Sequence, residues 1–456
     1  MPLVAGGAFL AGAIAAAQPK GMLALIVLAG VVLLTYRSPV ASLVLLLFLT
    51  CVVPYGIQNR LGVGGGERSP GLLLSDLLLL AALTRAAFTL PVRPVDRRAM
   101  RYGLVLVAFL AVVMLQFLHG VSSGHDVSRA GQDCRVLLCF GTFLVVVLAW
   151  DDPATRRELL ASLVGLGVLL GLWGMLQWFG HLSFGAAGDV GVRPGVRLTS
   201  QGSGQLQGGA YGFPVVIVAG FAALASGAVR GSLARTALAL AIGFNAVACL
   251  VTFERSFWLS AICGIAFVVF RSPGAQRAKL LLAAPFAAVI AIAVLSTAAP
   301  AELTTAKERL LSLGQYSSDD SVRYRLVESH FVLDEIRSHP LEGSGLAATV
   351  FWGQPWAQVP AKSYAFSHNG YLWLAWRVGL PAAALLILLI VSAIVLRAPP
   401  GEDALGAGVH RGAQGALLAL LVASVTFPSF STLSITPAMG VLLALAVLPF
   451  RTAELR

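Results

Sequence analysis

The sequence predicts an all-α polytopic membrane protein with about 12 to 14 transmembrane helices and one large extracytoplasmic loop. Of its 456 residues, 57% are hydrophobic and only 12% are charged, whereas soluble domains carry about 25% charged residues. So few charged side chains cannot cover the surface of a water-soluble chain of this length. Because the hydrocarbon of a bilayer offers the backbone no hydrogen-bond partners, each segment that crosses it has to be a helix.

Apolar runs near the length of a membrane span recur along the whole chain. A helix needs roughly 20 apolar residues to cross the hydrocarbon layer, within a range of about 17–25. Fourteen runs of about this length, broken by Arg, Pro or Gly, lie at 3–17, 21–36, 40–57, 71–90, 102–118, 135–150, 159–180, 208–229, 234–252, 256–271, 278–297, 369–396, 411–427 and 432–449. Several of them are short, which is why the expected number of true spans is a range.

Basic residues between the runs predict the orientation of the helices. Cytoplasmic loops carry an excess of Lys and Arg, and the strongest basic cluster follows the fourth run, at Arg85, Arg93, Arg97, Arg98 and Arg101. Alternation from this side puts both termini in the cytoplasm and the other basic clusters on the same side. The formal net charge of +11 is then mostly an orientation signal, so we expect membrane lipids around the chain and no nucleic-acid partner. The expected location is the cytoplasmic (inner) membrane.

The longest segment between runs divides the chain into three parts. Residues 298–368 are of mixed polarity and are expected outside the cytoplasm. They separate an N-terminal transmembrane bundle, 1–297, from a C-terminal group of transmembrane helices, 369–456. By the number of runs, the first part holds about 11 helices and the last about three.

Within the long segment, the pattern predicts an amphipathic helix. Val322, Leu326, Leu333 and Ile336 recur at helical spacing, and Pro340 ends the pattern. Charged residues occupy the other faces. An amphipathic helix of this kind can lie at a membrane surface and roof a cavity.

Arg255 is the first candidate for a functional site on the outer side. It lies in the hinge at residues 253–256 between two apolar runs. An arginine so close to hydrocarbon is costly unless it is paired, and its planar guanidinium suits bidentate binding of phosphate. A tight turn with a solvated arginine is the alternative.

Two further candidates lie in or beside the predicted amphipathic helix. Arg323, Tyr324 and Arg325 form one of them, and an ordinary exposed helical face is the alternative. His368, which is followed by Asn369, lies where the long segment re-enters the membrane. A histidine there can act as a general base near neutral pH, and a histidine with a structural role is the alternative.

Other residues are weaker candidates. Arg193 and Arg197 lie in an outer loop rich in Gly, Ser and Gln, where they could contact a sugar or phosphate or belong to a flexible solvated loop. Asp76 lies about one turn inside the fourth run, and acids inside the membrane are functional hypotheses. The chain has no P-loop, G-x-S-x-G, H-E-x-x-H or Cys/His cluster, which argues against an ATPase, a serine hydrolase and a zinc enzyme. We expect no metal and no cofactor.

At these residues the chain resembles the superfamily of O-antigen ligases and polymerases. Residues 252–259, Thr-Phe-Glu-Arg-Ser-Phe-Trp-Leu, are similar to its S-R-x-x-W-L hinge. Tyr324-Arg325, followed by His-Pro-Leu-Glu-Gly-Ser-Gly at 339–345, resembles its loop helix and the turn after it. His368-Asn369 and Gly379 match the ligase signature H-[NSQ]-x9-G-x-x-[GTY] up to its last position, where Ala382 stands.

The resemblance implies a metal-independent, inverting glycosyltransferase of the membrane C-type class. The donor would be a glycan on polyprenyl (undecaprenyl) diphosphate, and the acceptor a sugar hydroxyl, such as one of the lipid A-core, at the outer face of the membrane. Arg255 and Arg325 would hold the diphosphate, and His368 would deprotonate the acceptor. The substrate-binding residues would be Arg323, Tyr324, Asn369, Arg193 and Arg197.

Two alternatives remain open from the sequence. A polymerase of the same superfamily would join repeat units on the lipid, and Ala382 departs from the strict ligase signature. A membrane transporter or lipid-linked-glycan flippase would place polar residues midway through discontinuous helices. In this chain the mid-helix segments are nearly free of charge, which favours chemistry at the surface over transport.

Overall fold

The structure is a computed structural model that describes most of the chain. The described residues are 29–53, 73–90, 95–150, 152–179, 212–227, 229–282, 320–354, 359–398 and 402–450, with single positions between 296 and 307. Outside them lie the predicted run at 3–17, the start of the run at 21–36 and most of the run at 278–297.

Helices make up nearly all of the described part. The longer elements are α1 (Pro39–Cys51), α2 (Leu74–Thr89), α3 (Arg97–Ser122), α4 (Val127–Leu138), α5 (Thr142–Ala149), α6 (Pro153–Phe179), α7 (Gly212–Ala225), α8 (Ser232–Val251), α9 (Arg255–Arg271), α10 (Asp320–Ser338), β1 (Val350–Gln354), β2 (Val359–Tyr364), α11 (Gly370–Val378), α12 (Leu380–Val395), α13 (Ala404–Ser424) and α14 (Thr436–Val447). Short helical segments also lie at 29–37 and 274–282. The chain is an all-α polytopic membrane protein, and its described residues include one small hairpin.

Five of these helical segments are long and apolar enough to cross a membrane. They are Arg97–Ser122, Val127–Ala149, Pro153–Gln177, Ser232–Val251 and Ala404–Ser424. Shorter apolar helices accompany them at Pro39–Cys51, Gly212–Ala225, Leu380–Val395 and Thr436–Val447. Together these helices indicate a multi-pass membrane protein.

The predicted run at 369–396 is broken in the structure into α11 and α12. The break is at Gly379, which has φ +80°, and Pro381 follows in the first turn of α12. Proline is well accommodated at the start of a helix but cannot continue one. The sequence therefore ends one helix and begins the next within a stretch that hydrophobicity alone marks as continuous.

α13 lies at the centre of the bundle. It packs along α7, α9 and α14, while α8 packs along α6 and α7. Gly264 of α9 faces Gly415 of α13, and a Cβ added at Gly264 would lie 2.8 Å from the Gly415 carbonyl oxygen. Small residues at such crossings let helices approach closely in a membrane, where packing rather than burial from water drives association.

The predicted amphipathic helix exists as α10, but its buried face differs from the prediction. Val332 and Ile336 are buried, whereas Leu326 and Leu333 are exposed. The buried stripe instead runs through Glu328, Val332 and Ile336 at a spacing of four residues. Because this stripe includes a charged residue, Glu328, hydrophobic spacing alone predicted the wrong face.

A two-stranded hairpin, which the sequence did not predict, follows α10. β1 and β2 are antiparallel, with Val350 opposite Tyr364 and Trp352 opposite Lys362. The Trp352 side chain is buried, and its ring lies 4.9 Å from that of Tyr324, centroid to centroid. α10, the hairpin and the turn at 339–349 lie at one end of the helix bundle, which we call the loop end.

Candidate active site

His368 and Glu328 form the polar centre of the loop end. His368 lies in the short segment between β2 and α11, and Glu328 lies midway along α10. His368 Nδ1 lies 2.9 Å from Glu328 Oε2, and the backbone N–H of His368 donates to the same oxygen at 3.0 Å. The Glu328 side chain is 1% exposed and that of His368 is 24% exposed. The His368 side chain is therefore partly accessible to solvent, whereas the Glu328 side chain is buried.

Two aromatic rings hold the imidazole of His368 edge-on. The Tyr324 ring is perpendicular to it with centroids 5.5 Å apart, and the Phe366 ring is perpendicular at 4.9 Å. Burial, assisted by the charge of nearby Glu328, raises the pKa of Tyr324 to about 12, so this phenol stays neutral. Nε2 of His368 makes no hydrogen bond to any residue that the structure describes. It is the ring nitrogen that is left for a substrate.

Asn369 begins α11 as its N-cap. Its side-chain oxygen accepts hydrogen bonds from the backbone N–H of Tyr371 at 3.0 Å and of Leu372 at 3.1 Å. These are donors that the first turn of a helix leaves without an intrahelical partner. The Ser367 hydroxyl accepts from the backbone N–H of Asn369 at 3.3 Å. The predicted substrate-binding Asn369 thus uses its oxygen to fix the segment that carries His368.

Arg323 and Arg325 lie on the same helix as Tyr324 and Glu328. Arg323 is exposed and Arg325 is half-buried. Within the described ranges, the Arg325 guanidinium has no hydrogen-bond or ion-pair partner. A half-buried cation without a protein partner suits an anion from outside the chain.

Arg255, within the hinge, is the first residue of α9. Phe253 has φ +52°, a left-handed conformation that is uncommon for a bulky residue and clusters at functional sites. The Thr252 hydroxyl donates to the Cys249 carbonyl at 2.7 Å and accepts from the Glu254 backbone N–H at 3.2 Å. These bonds stabilise the abrupt turn between α8 and α9 from which Arg255 extends.

Phe427, in the segment after α13, connects this hinge to the neighbourhood of His368. Its ring packs against that of Phe257, with centroids 5.1 Å apart. Its carbonyl oxygen lies beside Gly370, where an added Cβ would approach it to 3.2 Å. Gly370 follows His368 by two residues. Arg255 and His368 therefore lie at the same end of the bundle.

The turn after α10 is attached to two helices by contacts that the sequence analysis did not anticipate. The Ser344 N–H donates to the Trp376 carbonyl at 2.8 Å, and the Leu346 N–H donates to the Gln116 carbonyl at 3.2 Å. The Gln116 side chain in turn donates to the Glu342 carbonyl. The turn at 339–349, which contains the Gly-rich motif at 343–345 and which we call the docking turn, is thus fixed on α3 and α11.

Arg377 is the residue that sequence reasoning missed most clearly. It is fully buried, its Nε lies 3.1 Å from Asp133 Oδ2, and it donates to the Ala365 and Ala348 carbonyls. Asp133 also accepts from the Ala347 N–H at 3.0 Å. The pair joins α4, the docking turn and the segment just before His368. The signal was an arginine inside an apolar run, since charged residues in such runs are rare and normally paired.

The weaker candidates have different outcomes. Asp76 Oδ1 lies 2.6 Å from Arg135 Nε in a nearly buried pair, and Asp76 Oδ2 accepts from the Leu73 N–H at 2.8 Å, so this acid is a structural partner and helix cap. Arg193 and Arg197 lie outside the described residues. Among the positions that the structure describes, no group of three or more His, Cys, Asp or Glu side chains could hold a metal ion.

The fold and these contacts define a multi-pass membrane protein with a histidine, a buried glutamate and several arginines at one end of its bundle. The model of a family described as O-antigen ligase matches residues 236–387. This match supports a relation to the O-antigen ligase superfamily, and the matched part contains the hinge, α10, the turn at 339–349, His368 and Gly379. The match indicates a glycosyltransferase-type enzyme of the inner membrane, and the matched family implies lipid-linked glycan and glycan acceptor substrates. A search of curated proteins gives no match.

Proposed function

We propose that the chain is an O-antigen ligase-like glycosyltransferase. It moves a glycan from polyprenyl diphosphate to a sugar hydroxyl, such as one of the lipid A-core, without a metal and with inversion at the anomeric carbon. One observation carries the proposal. His368 is bonded through Nδ1 and leaves Nε2 available, and the half-buried Arg325 extends from the helix that contacts this histidine.

The proposed reaction is a single displacement. His368 Nε2 accepts the proton of the acceptor hydroxyl as its oxygen attacks the anomeric carbon. The bond from that carbon to the diphosphate oxygen breaks, and the electron pair leaves with the diphosphate. Attack from the side opposite the leaving group inverts the configuration. General base catalysis of this kind typically contributes about 10²–10⁴ in rate.

Arginines take the place of a metal in this proposal. Arg255 and Arg325 would bind the diphosphate and stabilise the negative charge that develops on its leaving oxygen, and Arg323 would add a contact from α10. Tyr324 would contact the substrate beside His368. The amide nitrogen of Asn369, which has no hydrogen-bond partner among the described residues, would donate to the substrate. Arg193 and Arg197, outside the described part, stay predicted contacts to sugar or phosphate.

The same proposal includes the arrangement of the chain in the membrane. Residues 298–368 would roof the site on the outer face, between a bundle at 1–297 and the helices at 369–456, with both termini in the cytoplasm. This orientation places the donor diphosphate and the acceptor on the side that His368 and Arg325 face.

The proposal is tested with purified protein in detergent, a polyprenyl-diphosphate glycan and a lipid-core acceptor. We expect transfer by the wild type and a loss of about 10²–10⁴ in rate for His368→Ala. His330→Ala is the matched control, because His330 is an exposed histidine of α10, and its rate should equal that of the wild type. Equal melting temperatures show that both variants are folded.

Two results would overturn the proposal. A folded His368→Ala variant with a near wild-type rate would remove the base, and absence of transfer by the wild type would remove the activity. Transfer in detergent excludes a pure transporter, because no second compartment is present. Product length separates the two enzymes of the superfamily, since a ligase preserves the length of the donor glycan and a polymerase makes a ladder from single units.

A further inference from the structure

We infer that Glu328 is a positioning residue for the proposed base. It fixes the ring proton of His368 on Nδ1 and places a negative charge against the imidazolium that forms when Nε2 takes up the acceptor's proton. The inference rests on the proposed function, in which His368 is the base.

The contacts of one carboxylate oxygen carry the argument. Oε2 of Glu328 receives the backbone N–H of His368 at 3.0 Å and faces Nδ1 at 2.9 Å. An ionised carboxylate only accepts hydrogen bonds, so the nitrogen that faces it must carry a proton. Nδ1–H therefore points into the protein, and the lone pair of the neutral ring is on Nε2. In histidines of this kind the partner of one ring nitrogen decides the state of the other.

The location of Glu328 makes its charge effective. Its side chain is 1% exposed, and an ion pair shielded from water is screened much less than a surface pair. Its second oxygen, Oε1, is buried without a hydrogen-bond partner among the described residues. Such an atom is costly, and a purely structural link to the His368 backbone could be made by a neutral amide. The unpartnered oxygen therefore calls for a functional explanation of this carboxylate.

The ring cannot easily turn to exchange its two nitrogens. Tyr324 precedes Glu328 by one helical turn and packs edge-on against the imidazole, opposed by Phe366. The other titratable or charged groups on the elements around the pair are Asp320, Arg323, Arg325, His330, Asp334, Glu335 and Arg337 of α10, Lys362 and Tyr364 of β2, and Tyr371 and Arg377 of α11. The Tyr371 hydroxyl donates to the Leu421 carbonyl at 2.7 Å. Glu328 is the only carboxylate within hydrogen-bond reach of His368 among the described residues.

The test compares Glu328→Gln with Glu335→Gln, because Glu335 is a carboxylate two helical turns farther along α10. In the transfer assay, we expect Glu328→Gln to lower kcat by about 10–100-fold, as is typical when the outer partner of a functional histidine is removed. Because Glu328→Gln removes the negative charge that would stabilise the imidazolium, the acid limb of the pH–rate profile should move to lower pH. Glu335→Gln should change neither quantity.

A second measurement reads the ring directly and needs no activity. In ¹⁵N-histidine-labelled protein, the signals that disappear in His368→Gln belong to His368. We expect them to show a proton on Nδ1 in the wild type, and a population with the proton on Nε2 in Glu328→Gln, because an amide can donate to Nδ1 as well as accept from it.

The outcomes separate the inference from the proposed function. If His368→Ala abolishes transfer while Glu328→Gln leaves the pH profile and the tautomer unchanged, the positioning role is wrong and the proposed function stands. If His368→Ala is fully active, the proposed function fails whatever the tautomer is. Should Glu328→Gln fail to fold, Glu328→Asp keeps the charge on a shorter chain. The inference expects Glu328→Asp to retain the wild-type acid limb at a reduced rate, and a displaced limb in a folded Glu328→Asp variant would contradict it.

Discussion

Gly343 and Gly379 touch through their backbones, although 35 residues separate them in the chain. Both have positive φ, +73° and +80°. A Cβ at Gly343 would lie 2.4 Å from the Gly379 nitrogen, and a Cβ at Gly379 would lie 2.1 Å from the Leu341 carbonyl oxygen. The Leu380 N–H donates to the Pro340 carbonyl at 2.9 Å across the same contact. The docking turn at 339–349 thus packs against the break between α11 and α12.

Replacing either glycine by alanine should disrupt the contact between the docking turn and the α11–α12 break. We expect Gly379→Ala and Gly343→Ala each to cost about 2 kcal/mol or more, because a left-handed alanine is strained and its methyl group meets backbone. The measurement is the melting temperature in detergent together with the transfer rate, and both should fall. Gly243→Ala is the matched control, since Gly243 lies in α8 with no atom within 4 Å of an added Cβ. A wild-type melting temperature for Gly379→Ala would show that the contact does not constrain the loop.

The buried Arg377–Asp133 pair should be far more important for stability than any surface pair of α10. Removing one partner of a buried ion pair typically costs about 3–5 kcal/mol, so Arg377→Ala and Asp133→Ala should lower the melting temperature sharply. Arg377→Lys should also be destabilising, because lysine cannot reproduce a fork that reaches both Asp133 and the Ala365 carbonyl. The control is Arg337→Ala, which breaks an exposed pair with Asp334 worth about 0–1 kcal/mol. Equal effects of Arg377→Ala and Arg337→Ala would contradict this assignment.

The arginines of the site should affect catalysis without affecting stability. We expect Arg325→Ala and Arg255→Ala to lower the transfer rate by about 10²–10³, which is typical for loss of one preorganised group that stabilises transition-state charge. Lysine at these positions should restore part of the rate, since it keeps the charge but loses bidentate geometry. Arg337→Ala, on the same helix as Arg325, should transfer at the wild-type rate. If Arg325→Ala also did so, the diphosphate would have to be bound elsewhere.

Much of this fold could be predicted because the transmembrane helices of a membrane protein are long apolar runs in its sequence. Each apolar run in the described part overlaps a helix, and the amphipathic pattern before Pro340 did predict α10. Among the candidate residues that the structure describes, Tyr324 contacts His368, and Arg255 lies at the same end of the bundle. These features follow from hydrophobicity and from local residue spacing, and both can be read from a single sequence.

What could not be predicted depends on contacts between distant segments. Glu328 looked like an ordinary charge on a solvated helical face, and only the approach of His368, 40 residues later, makes it a buried partner. Asp133 and Arg377 are separated by most of the chain, so nothing local indicates that they pair. The hairpin around Trp352 lies in a segment of mixed polarity, where neither a helical nor a strand period is dominant. In each case tertiary packing, rather than local sequence preference, decides the outcome.

Glu402, just before α13, should make the stability of the protein depend on pH. It accepts a hydrogen bond from the Phe450 N–H at 3.3 Å, and burial raises its pKa from 4.5 to about 7. Between these values the folded protein keeps a proton that the unfolded chain has lost, so the free energy of unfolding falls as the pH rises from 4.5 to about 7 and then levels off. Glu402→Gln should remove this slope and raise the melting temperature at neutral pH. Glu158→Gln, at an exposed carboxylate of α6, should leave the wild-type slope in place. Melting curves in detergent across this pH range decide the matter, and an unchanged slope in Glu402→Gln would assign the dependence to another group.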